Sequence, residues 1–387
     1  MVTTTARRRL LADHLPGRYR ETPFGRCFVA EWRFPVGHQH GLVKLDGSGG
    51  GTSLGRLVRD GEFDGLDGAL FLDVETTGLA GGTGTYVFLV GLAYLRGGQV
   101  YVEQFFLDDL PEERAFLVSL SERLGDFRRL VTFNGKSFDL PLLQTRFVLA
   151  RERFRWADVP HLDLLFTARR LWRHRLESCR LERLEAAIVG FHRRGDIPGW
   201  LIPSIFFSYL RERDPANLVP VFRHNLNDLL ALVALTLTVD ELLTTPRPEC
   251  PAADLYGLGR LWLDLDEHDR AIVCFERALV EGLAKPHATE AARLLATTYR
   301  QLQRREDAIA IWQRLAAEPG SLATFAFVEL AKHSEHQMRE LEAARDWTLR
   351  ALAGLERRRD DRVARERADL RRRLDRLERK LTKRRAG

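Results

Sequence analysis

Hydrophobic positions in the first half of the chain occur in short runs separated by turn residues. Runs rich in β-branched and aromatic residues predict strands over Leu70–Val74, Tyr86–Tyr94 and Val100–Leu107. The pair Gly97-Gly98 lies between the last two runs and predicts a hairpin turn. The pattern therefore predicts that this region begins with three antiparallel strands.

Beyond these strands the apolar positions recur with helical spacing. Pro111 opens an amphipathic helix that we expect to end at Leu124, and a short strand is predicted over Leu130–Phe133. Helical patterns then dominate residues 140–239, with breaks at prolines 198, 203 and 215. Strands followed by helices indicate an α+β or α/β core of the nuclease type.

The prolines at 246, 248 and 251 mark a boundary, after which every predicted element is helical. An apolar pattern there has tetratricopeptide spacing and recurs after 37 residues. Its positions are Leu258-Gly259, Trp262, Ala271, Phe275 and Ala278, then Leu295-Ala296, Tyr299, Ala308 and Trp312, with a weaker third copy around Ala331, Ala344 and Ala351. We expect an all-α tetratricopeptide-like repeat domain, and an unrelated helical bundle is the alternative.

The C-terminal segment 356–387 carries 15 basic and 7 acidic residues, which accounts for the whole net charge of +6. Its apolar positions form a narrow seam of Val363, Leu370, Leu374, Leu377 and Leu381. The helix could cap the repeats, or it could bind phosphates through Arg371, Arg372, Arg373, Arg379 and Lys380. The regular seam favours the cap.

Composition bounds the class of protein. With 387 residues, of which 45% are hydrophobic and 29% charged, the chain can form several globular domains. Its longest apolar runs are about half of the roughly 20 residues that a membrane span needs, and no signal peptide is recognisable. The four cysteines are widely spaced, which disfavours disulfides and zinc binding. We expect a cytoplasmic protein.

The predicted domain organisation has four parts. They are an N-terminal extension with a flexible Gly-rich connector over 1–60, a nuclease-like domain over 61–245, helical repeats over 251–355, and a basic C-terminal helix over 356–387.

Candidate chemistry starts with two acidic residues on a predicted strand. Asp73 and Glu75 lie two positions apart, so a strand would point both carboxylates to one face. Like charges of this kind are costly to bury unless cations neutralise them, and Mg²⁺ or Mn²⁺ prefers oxygen ligands. Surface charge is the alternative interpretation.

Three further residues extend this set. Asp139 lies at the predicted start of a helix, where it could bind metal or cap the helix. His224 and Asp228 lie four apart and would share a helix face. Asp163 could support the site, but helix capping explains it as well, and His161 is similarly open.

In order and context these residues resemble the DEDD superfamily of 3′ to 5′ exonucleases, and more closely its YprB-like, ribonuclease-H-like branch. The matching motifs are Asp73-Val-Glu-Thr-Thr-Gly78, Gly81-Gly-Thr-Gly-Thr-Tyr86, Asp196-Ile-Pro-Gly199, and His224-Asn225 with Asp228. The resemblance covers roughly residues 12–240. It implies a ribonuclease-H-like mixed sheet with flanking helices, followed by tetratricopeptide-like repeats.

The resemblance also implies roles. Asp73 would bridge two divalent cations, Mg²⁺ or Mn²⁺, while Glu75 and Asp228 complete one site and Asp139 supports the other. His224 would orient or deprotonate water, although the better-known subclasses have either a histidine five residues or a tyrosine four residues before the aspartate, and here a histidine stands four before it. Asn134, Lys136 and Thr76 are candidate substrate contacts.

The expected activity is exonucleolytic hydrolysis of DNA or RNA in DNA repair or nucleic-acid processing. The alternative is a catalytically silent nucleic-acid-binding or scaffold protein, whose repeats would dock a partner such as a helicase. The complete set of carboxylates favours the enzyme, because losing a single ligand would impair metal binding.

Overall fold

A computed structural model describes residues 10–47, 50–58, 63, 65–78, 82–156, 159–317, 321–355 and 361–386. The chain divides into two compact units, 1–248 and 249–387. Gly81, the first residue of the motif Gly81–Tyr86, lies outside the described residues.

The first unit is built on a seven-stranded mixed sheet with the order β1-β2-β7-β6-β5-β8-β9. The strands are β1 Gly17–Thr22, β2 Gly25–Phe34, β5 Ala69–Thr76, β6 Val87–Arg96, β7 Gln99–Phe106, β8 Arg129–Thr132 and β9 His161–Asp163, and a separate pair is formed by β3 Gln39–His40 and β4 Val43–Lys44. Strand β5 is antiparallel to β6 and parallel to β8. It therefore lies where the antiparallel and parallel parts of the sheet meet.

The three predicted strands correspond to β5, β6 and β7. Gly97 and Gly98 form the predicted hairpin turn, and both adopt positive φ angles, of 57° and 72°. Glycine reaches this left-handed region without a Cβ clash, which explains its presence at both positions.

The N-terminal segment differs from its prediction. Strands β1 and β2 join the large sheet, so residues 17–34 do not form a separate extension. Their charged residues pair across strands, as Arg20 does with Glu31 at 3.2 Å, and this pairing hides the strands from a reading based on apolar runs. The short strand β9 was also missed.

The expected flexible connector is anchored where it is described. Residues Thr52–Leu57 form a 3₁₀ helix, and Leu54 is fully buried. The Gly51 N–H donates a hydrogen bond of 3.0 Å to Asp240 Oδ2. Specific burial and this polar contact overcome the flexibility expected from the glycine content.

Six α-helices lie in the described part of the first unit, and the last of them crosses its core. They are α1 Glu113–Leu124, α2 Asp139–Leu149, α3 Leu164–Trp172, α4 Leu181–Leu184, α5 Ile202–Glu212 and α6 Val219–Thr244. Helix α6 packs against β5, β6 and β7. Residues 229–235 are buried on every side of the helix, so α6 is a core element that holds its polar residues against the sheet.

The described part of the second unit is helical throughout. It comprises α7 Ala252–Asp264, α8 His268–Val280, α9 His287–Gln301, α10 Arg305–Ala317, α11 Ser321–His333, α12 Leu341–Leu355 and α13 Asp361–Ala386. Each helix packs against the next one along the chain. A Cβ at Gly259 would lie 2.7 Å from the Phe275 ring, so the glycine permits close packing of α7 on α8. No helix in the described ranges is long and apolar enough to cross a bilayer.

Helix α13 covers the end of this series. Its residues Leu370, Leu377 and Leu381 are buried, and the helix packs on α12. The buried carboxylate of Glu335, in a π-helical turn over Ser334–Met338, accepts hydrogen bonds from three cations of α13. We call these four residues, Glu335, Arg373, Arg376 and Lys380, the Glu335 cluster. Two of the basic residues considered for phosphate binding, Arg373 and Lys380, are thus engaged within the unit.

Candidate active site

Strand β5 presents two carboxylates at the middle of the sheet. Asp73 and Glu75 alternate with the buried residues Leu72 and Val74, which places both acidic side chains on the same face. The register with β6 shifts between Glu75 and Thr76, so the strand becomes irregular directly after the second carboxylate. The predicted arrangement of this pair is what the backbone shows.

Helix α6 brings a histidine and a third carboxylate to that face. His224 and Asp228 lie one helical turn apart, and His224 Nε2 is 3.3 Å from Asp228 Oδ2. One potential ligand atom from each of Glu75, His224 and Asp228 lies within 4.8 Å of the others. We call these three residues the Glu75–His224–Asp228 group.

Asp73 is fixed by a chain of side-chain hydrogen bonds that starts on β2. Asn225 Nδ2 donates to Asp73 Oδ2 at 2.8 Å, and Asn225 Oδ1 accepts from Gln104 Nε2 at 2.9 Å. Gln104 Oε1 in turn accepts from Trp32 Nε1 at 2.8 Å. Gln104 and Asn225 are fully buried, and a Cβ at Gly91 would lie only 2.1 Å from Asn225 Oδ1. We call this series the Trp32 hydrogen-bond chain.

Asp139 is the first residue of α2 and is 6% exposed. The loop before it is held by Asp163, whose carboxylate accepts from the Asn134 N–H at 2.7 Å and the Lys136 N–H at 3.1 Å. Asp163 also caps α3 by accepting from the Leu165 N–H. Asp163 is thus both a helix cap and the anchor of the loop that leads to Asp139.

Negative charge accumulates at this face. Burial, followed by the charges of Asp228 and Glu75, raises the pKa of Asp73 well above its ordinary value. Burial and the charges of Asp228 and Asp139 do the same to the pKa of Glu75. Burial raises the pKa of Asp139 to about 7, although backbone hydrogen bonds oppose the rise. The protein groups alone therefore do not neutralise these carboxylates.

One buried arginine partly offsets the charge. Arg193 contacts three carboxylates: its Nε lies 2.5 Å from Glu185, its Nη1 3.0 Å from Asp196, and its Nη2 2.7 Å from Asp228 Oδ1. Glu185 extends the network to His40, whose Nε2 is 2.6 Å from the other carboxylate oxygen. We call Arg193, Glu185, Asp196 and Asp228 the Arg193 cluster.

The orientation of His224 is set by Asp196. His224 Nδ1 is 3.0 Å from both oxygens of Asp196, and an ionised carboxylate can only accept hydrogen bonds, so Nδ1 carries the proton. In the neutral ring, Nε2 then points a lone pair toward Asp228 Oδ2, which is another acceptor. Two facing acceptors at this distance are unfavourable, and a cation coordinated by both atoms, or a proton shared between them, would remove the conflict.

The remaining predicted site residues differ in their exposure and in their hydrogen bonds. The Thr76 hydroxyl, which is nearly buried, donates to the Gly78 carbonyl at 2.8 Å. Asn134 has a φ of 70°, which places it in a left-handed turn, and Lys136 is exposed beside it. His161 Nε2 lies 2.7 Å from the Thr132 hydroxyl, and burial together with the Lys136 charge lowers the pKa of His161 to about 3.

Sequence reasoning missed the roles of several polar residues. Asn225 and Asp196 belong to motifs quoted above but received no function, and Gln104 and Arg193 were not considered. Polar residues within a strand that is mostly apolar, such as Gln104 directly before Phe105 and Phe106, are a signal that could have been used. Arg193 gives no such signal, because its partners come from three separate segments.

Comparisons with known proteins give a superfamily for part of the chain and a relative for most of it. Residues 70–239 match the RNase_H superfamily, which indicates a nuclease-type domain. Over 329 residues the chain is 31% identical to the uncharacterized protein YprB of Bacillus subtilis (strain 168), a match that covers 81% of this chain and 77% of YprB. A family B DNA polymerase from the archaeon Pyrobaculum calidifontis aligns at 18% identity with a TM-score of 0.35, over 55% of this chain and 28% of the polymerase.

Proposed function

The chain belongs to the family of YprB, and from this premise we propose that it is a metal-dependent 3′ to 5′ exonuclease that hydrolyses phosphodiester bonds in nucleic acid. The RNase_H superfamily domain supports hydrolysis of this class. The DEDD-type arrangement, the direction of cleavage and the use of two cations rest on the motif resemblance and the site geometry.

The observation that carries the proposal is the position of the Glu75–His224–Asp228 group beside Asp73 and Asp139. Ligand atoms of that group lie within 4.8 Å of one another. Burial, with repulsion among the carboxylates, raises the pKa values of Asp73, Glu75 and Asp139, so the protein's own groups do not fully stabilise their ionised forms. A surplus of buried carboxylates is the environment in which Mg²⁺ or Mn²⁺ binds.

We assign the ligands Asp73, Glu75, Asp139 and Asp228. Bound cations would supply Lewis-acid stabilisation of the attacking and leaving oxygens. His224 Nε2 accepts a proton from the attacking water, and Asp196 holds the ring and stabilises the imidazolium that forms. Lys136 and Asn134, on the loop anchored by Asp163, are placed to contact substrate.

For the second unit we propose tetratricopeptide-like repeats. The paired positions predicted from the sequence are buried, including Leu258, Phe275, Ala296 and Ala308. Their successive packing is what stacked helical hairpins require. Repeats of this kind would bind a protein partner such as a helicase or extend the contact with nucleic acid.

The test is incubation of the purified chain with end-labelled single-stranded and duplex DNA and RNA. We expect stepwise shortening from the 3′ end with Mg²⁺ or Mn²⁺ and none with EDTA. Labels at the 5′ and 3′ ends distinguish the direction of attack, and matched DNA and RNA strands report the sugar preference. Absence of cleavage with either metal on every substrate would refute the proposal.

A further inference from the structure

The spacing of His224 and Asp228 directs both side chains to the same place. On a helix, two residues four apart share a face, whereas a fifth residue of separation turns one of them by about a further 100°. Here His224 Nε2 lies 3.3 Å from Asp228 Oδ2. The imidazole therefore faces the carboxylate rather than standing to one side of it.

The separations within the Glu75–His224–Asp228 group suit a single ion. One ligand atom of each residue lies within 4.8 Å of the other two. An ion that holds nitrogen and oxygen atoms at about 2.0–2.2 Å brings them to within roughly 3–4.4 Å of one another, so little adjustment is needed. The side chains of His224 and Asp228 are 17% and 15% exposed, which leaves them accessible from solvent.

The surrounding hydrogen bonds hold the two facing atoms in place. Asp228 Oδ1 accepts from Arg193 Nη2 at 2.7 Å, and Oδ2 is the oxygen that faces His224. Asp196 accepts from His224 Nδ1 at 3.0 Å and is itself held by the Ile197 N–H at 2.8 Å. A carboxylate bound to the outer nitrogen of a histidine is the usual partner of a metal-ligating imidazole, because it fixes the ring and the tautomer.

A proton shared between His224 and Asp228 would also relieve the conflict of two acceptors, but it would serve those two residues alone. A cation can contact Glu75 as well, because the ligand atoms of all three residues lie together. Since Glu75 is a third acceptor at the same place, a cation satisfies more of the group than a proton does.

The imidazole nitrogen also bears on which cation binds. Mg²⁺ is a hard ion that takes oxygen ligands and keeps much of its water. Imidazole suits first-row transition ions, while carboxylates suit Mn²⁺ as well as Mg²⁺. A set of two carboxylates and one imidazole therefore favours an ion such as Mn²⁺, which accepts both kinds of ligand.

We propose that His224 is a metal ligand in the substrate-free protein, where its Nε2, with Glu75 and Asp228, binds the first cation and makes this position prefer Mn²⁺ to Mg²⁺. The inference rests on the proposed function, which places cations at this face. Ligation occupies the lone pair that the proposed reaction uses as a base. His224 accordingly changes role when substrate binds, and Asp196 is a positioning residue in both roles.

The test is pulsed electron paramagnetic resonance of the full chain with at most one equivalent of Mn²⁺ and no substrate. A nitrogen bound directly to Mn²⁺ modulates the electron spin echo. We expect ¹⁴N modulation in the wild type, its replacement by a ¹⁵N pattern when histidine is ¹⁵N-labelled, and its loss in His224→Gln. His161→Gln is the matched control, because that ring bonds to Thr132 outside the group and its loss should leave the modulation unchanged.

Calorimetric titration with each metal alone supplies the second measurement. Asp196→Asn should weaken Mn²⁺ binding about 10-fold or more, the range for loss of an outer partner of a ligand, and His224→Gln at least as much. Mg²⁺ binding should fall less in His224→Gln, so the ratio of the two affinities should shift toward Mg²⁺. His161→Gln should alter neither affinity. The labelled wild type tests the ligation even if a variant fails to fold.

Three outcomes would overturn the inference: no nitrogen modulation in the wild type, modulation that persists in a folded His224→Gln protein, or Mg²⁺ binding as tight as Mn²⁺ binding. The proposed nuclease function is judged separately. Cleavage with Mg²⁺ by a protein that shows no nitrogen modulation would refute the ligand assignment alone, and modulation without cleavage on any substrate would refute the nuclease alone.

Discussion

The Arg193 cluster and the Glu335 cluster are mirror images in charge. In the first, one buried arginine contacts three carboxylates, and in the second, one buried carboxylate contacts three cations. Both central side chains are shielded from solvent, at 4% and 0% exposure. The two clusters nevertheless differ in how well the carboxylates in and around them are stabilised in their ionised form.

Around Glu335 the charges are satisfied. Although burial opposes it, hydrogen bonds from Arg376 and Lys380 lower the pKa of Glu335 to about 2. Both cations are more than 40% exposed, so their excess charge is solvated. Within the Arg193 cluster the pKa of Asp196 is lowered despite its burial, by His224 and Arg193, but the nearby carboxylates Asp73 and Glu75, which Arg193 does not contact, have raised pKa values. A buried charge that is balanced by its partners, like that of Glu335, holds a helix in position. Buried carboxylates that lack enough cationic partners favour the binding of a cation.

The largest expected effect comes from removing one of the buried carboxylates near Arg193. We expect Asp73→Asn to lower the rate of hydrolysis at least about 10³-fold. The proposed metal ligands work together, so losing one of them should remove most of the rate that the whole set provides. The amide can still accept from Asn225, so the fold should persist. Metal-free melting temperature and cleavage rate are measured together, with the exposed Glu122→Gln as control. Full activity of the Asp73 variant would remove the site assignment.

Removing the central cation should damage the Arg193 cluster strongly. We expect Arg193→Met to destabilise the metal-free protein by about 3–5 kcal/mol, the usual cost of breaking a buried ion pair. Arg193→Lys should fall in between, because it keeps the charge but loses the fork that spans Glu185, Asp196 and Asp228. Urea unfolding gives these values, and Mg²⁺ should restore part of the loss. Equal stability of Arg193→Met and wild type would contradict the structural role of this residue.

The Glu335 cluster should tolerate the equivalent change better. Glu335→Gln is expected to cost about 1–3 kcal/mol, the range for hydrogen bonds to charged groups, because the released cations can turn to solvent. The pKa is lowered from an ordinary 4.5 to about 2, so this contribution is present above about pH 4.5 and disappears as the pH falls toward 2. Unfolding curves across that range test the effect, with the exposed Glu342→Gln on α12 as control.

A smaller effect concerns pH in the absence of metal. The pKa of Asp139 rises from an ordinary 3.8 to about 7, so the folded state binds the proton more tightly and metal-free stability falls as pH rises through that interval. Asp139→Asn should reduce this loss and raise the melting temperature at pH 7.5 by about 2–4 °C for each kcal/mol of relieved repulsion. An identical pH profile for the variant and the wild type would rule out this origin.

The sequence predicts those features whose residues lie within one segment of the chain, and it misses those that join distant segments. Strands β5 to β7 and the His224–Asp228 pair follow from period and spacing within one segment, and both are present. The N-terminal strands were missed because their charges are satisfied only across strands, as Arg20 shows with Glu31. The Arg193 cluster was missed because its members come together only after folding. The predicted set of four metal ligands remains a proposal.

The Trp32 hydrogen-bond chain has a polarity. An indole nitrogen can only donate, so the first bond fixes which end of the Gln104 amide faces Trp32, and that choice fixes Asn225 in turn. Every N–H along the chain therefore points toward Asp73, and the aligned dipoles favour its ionised form. The residues that match the superfamily, 70–239, begin after Trp32, so a fragment cut at that limit would lose the donor that sets the direction. A fragment that keeps the surroundings of Asp73 intact therefore has to include β2.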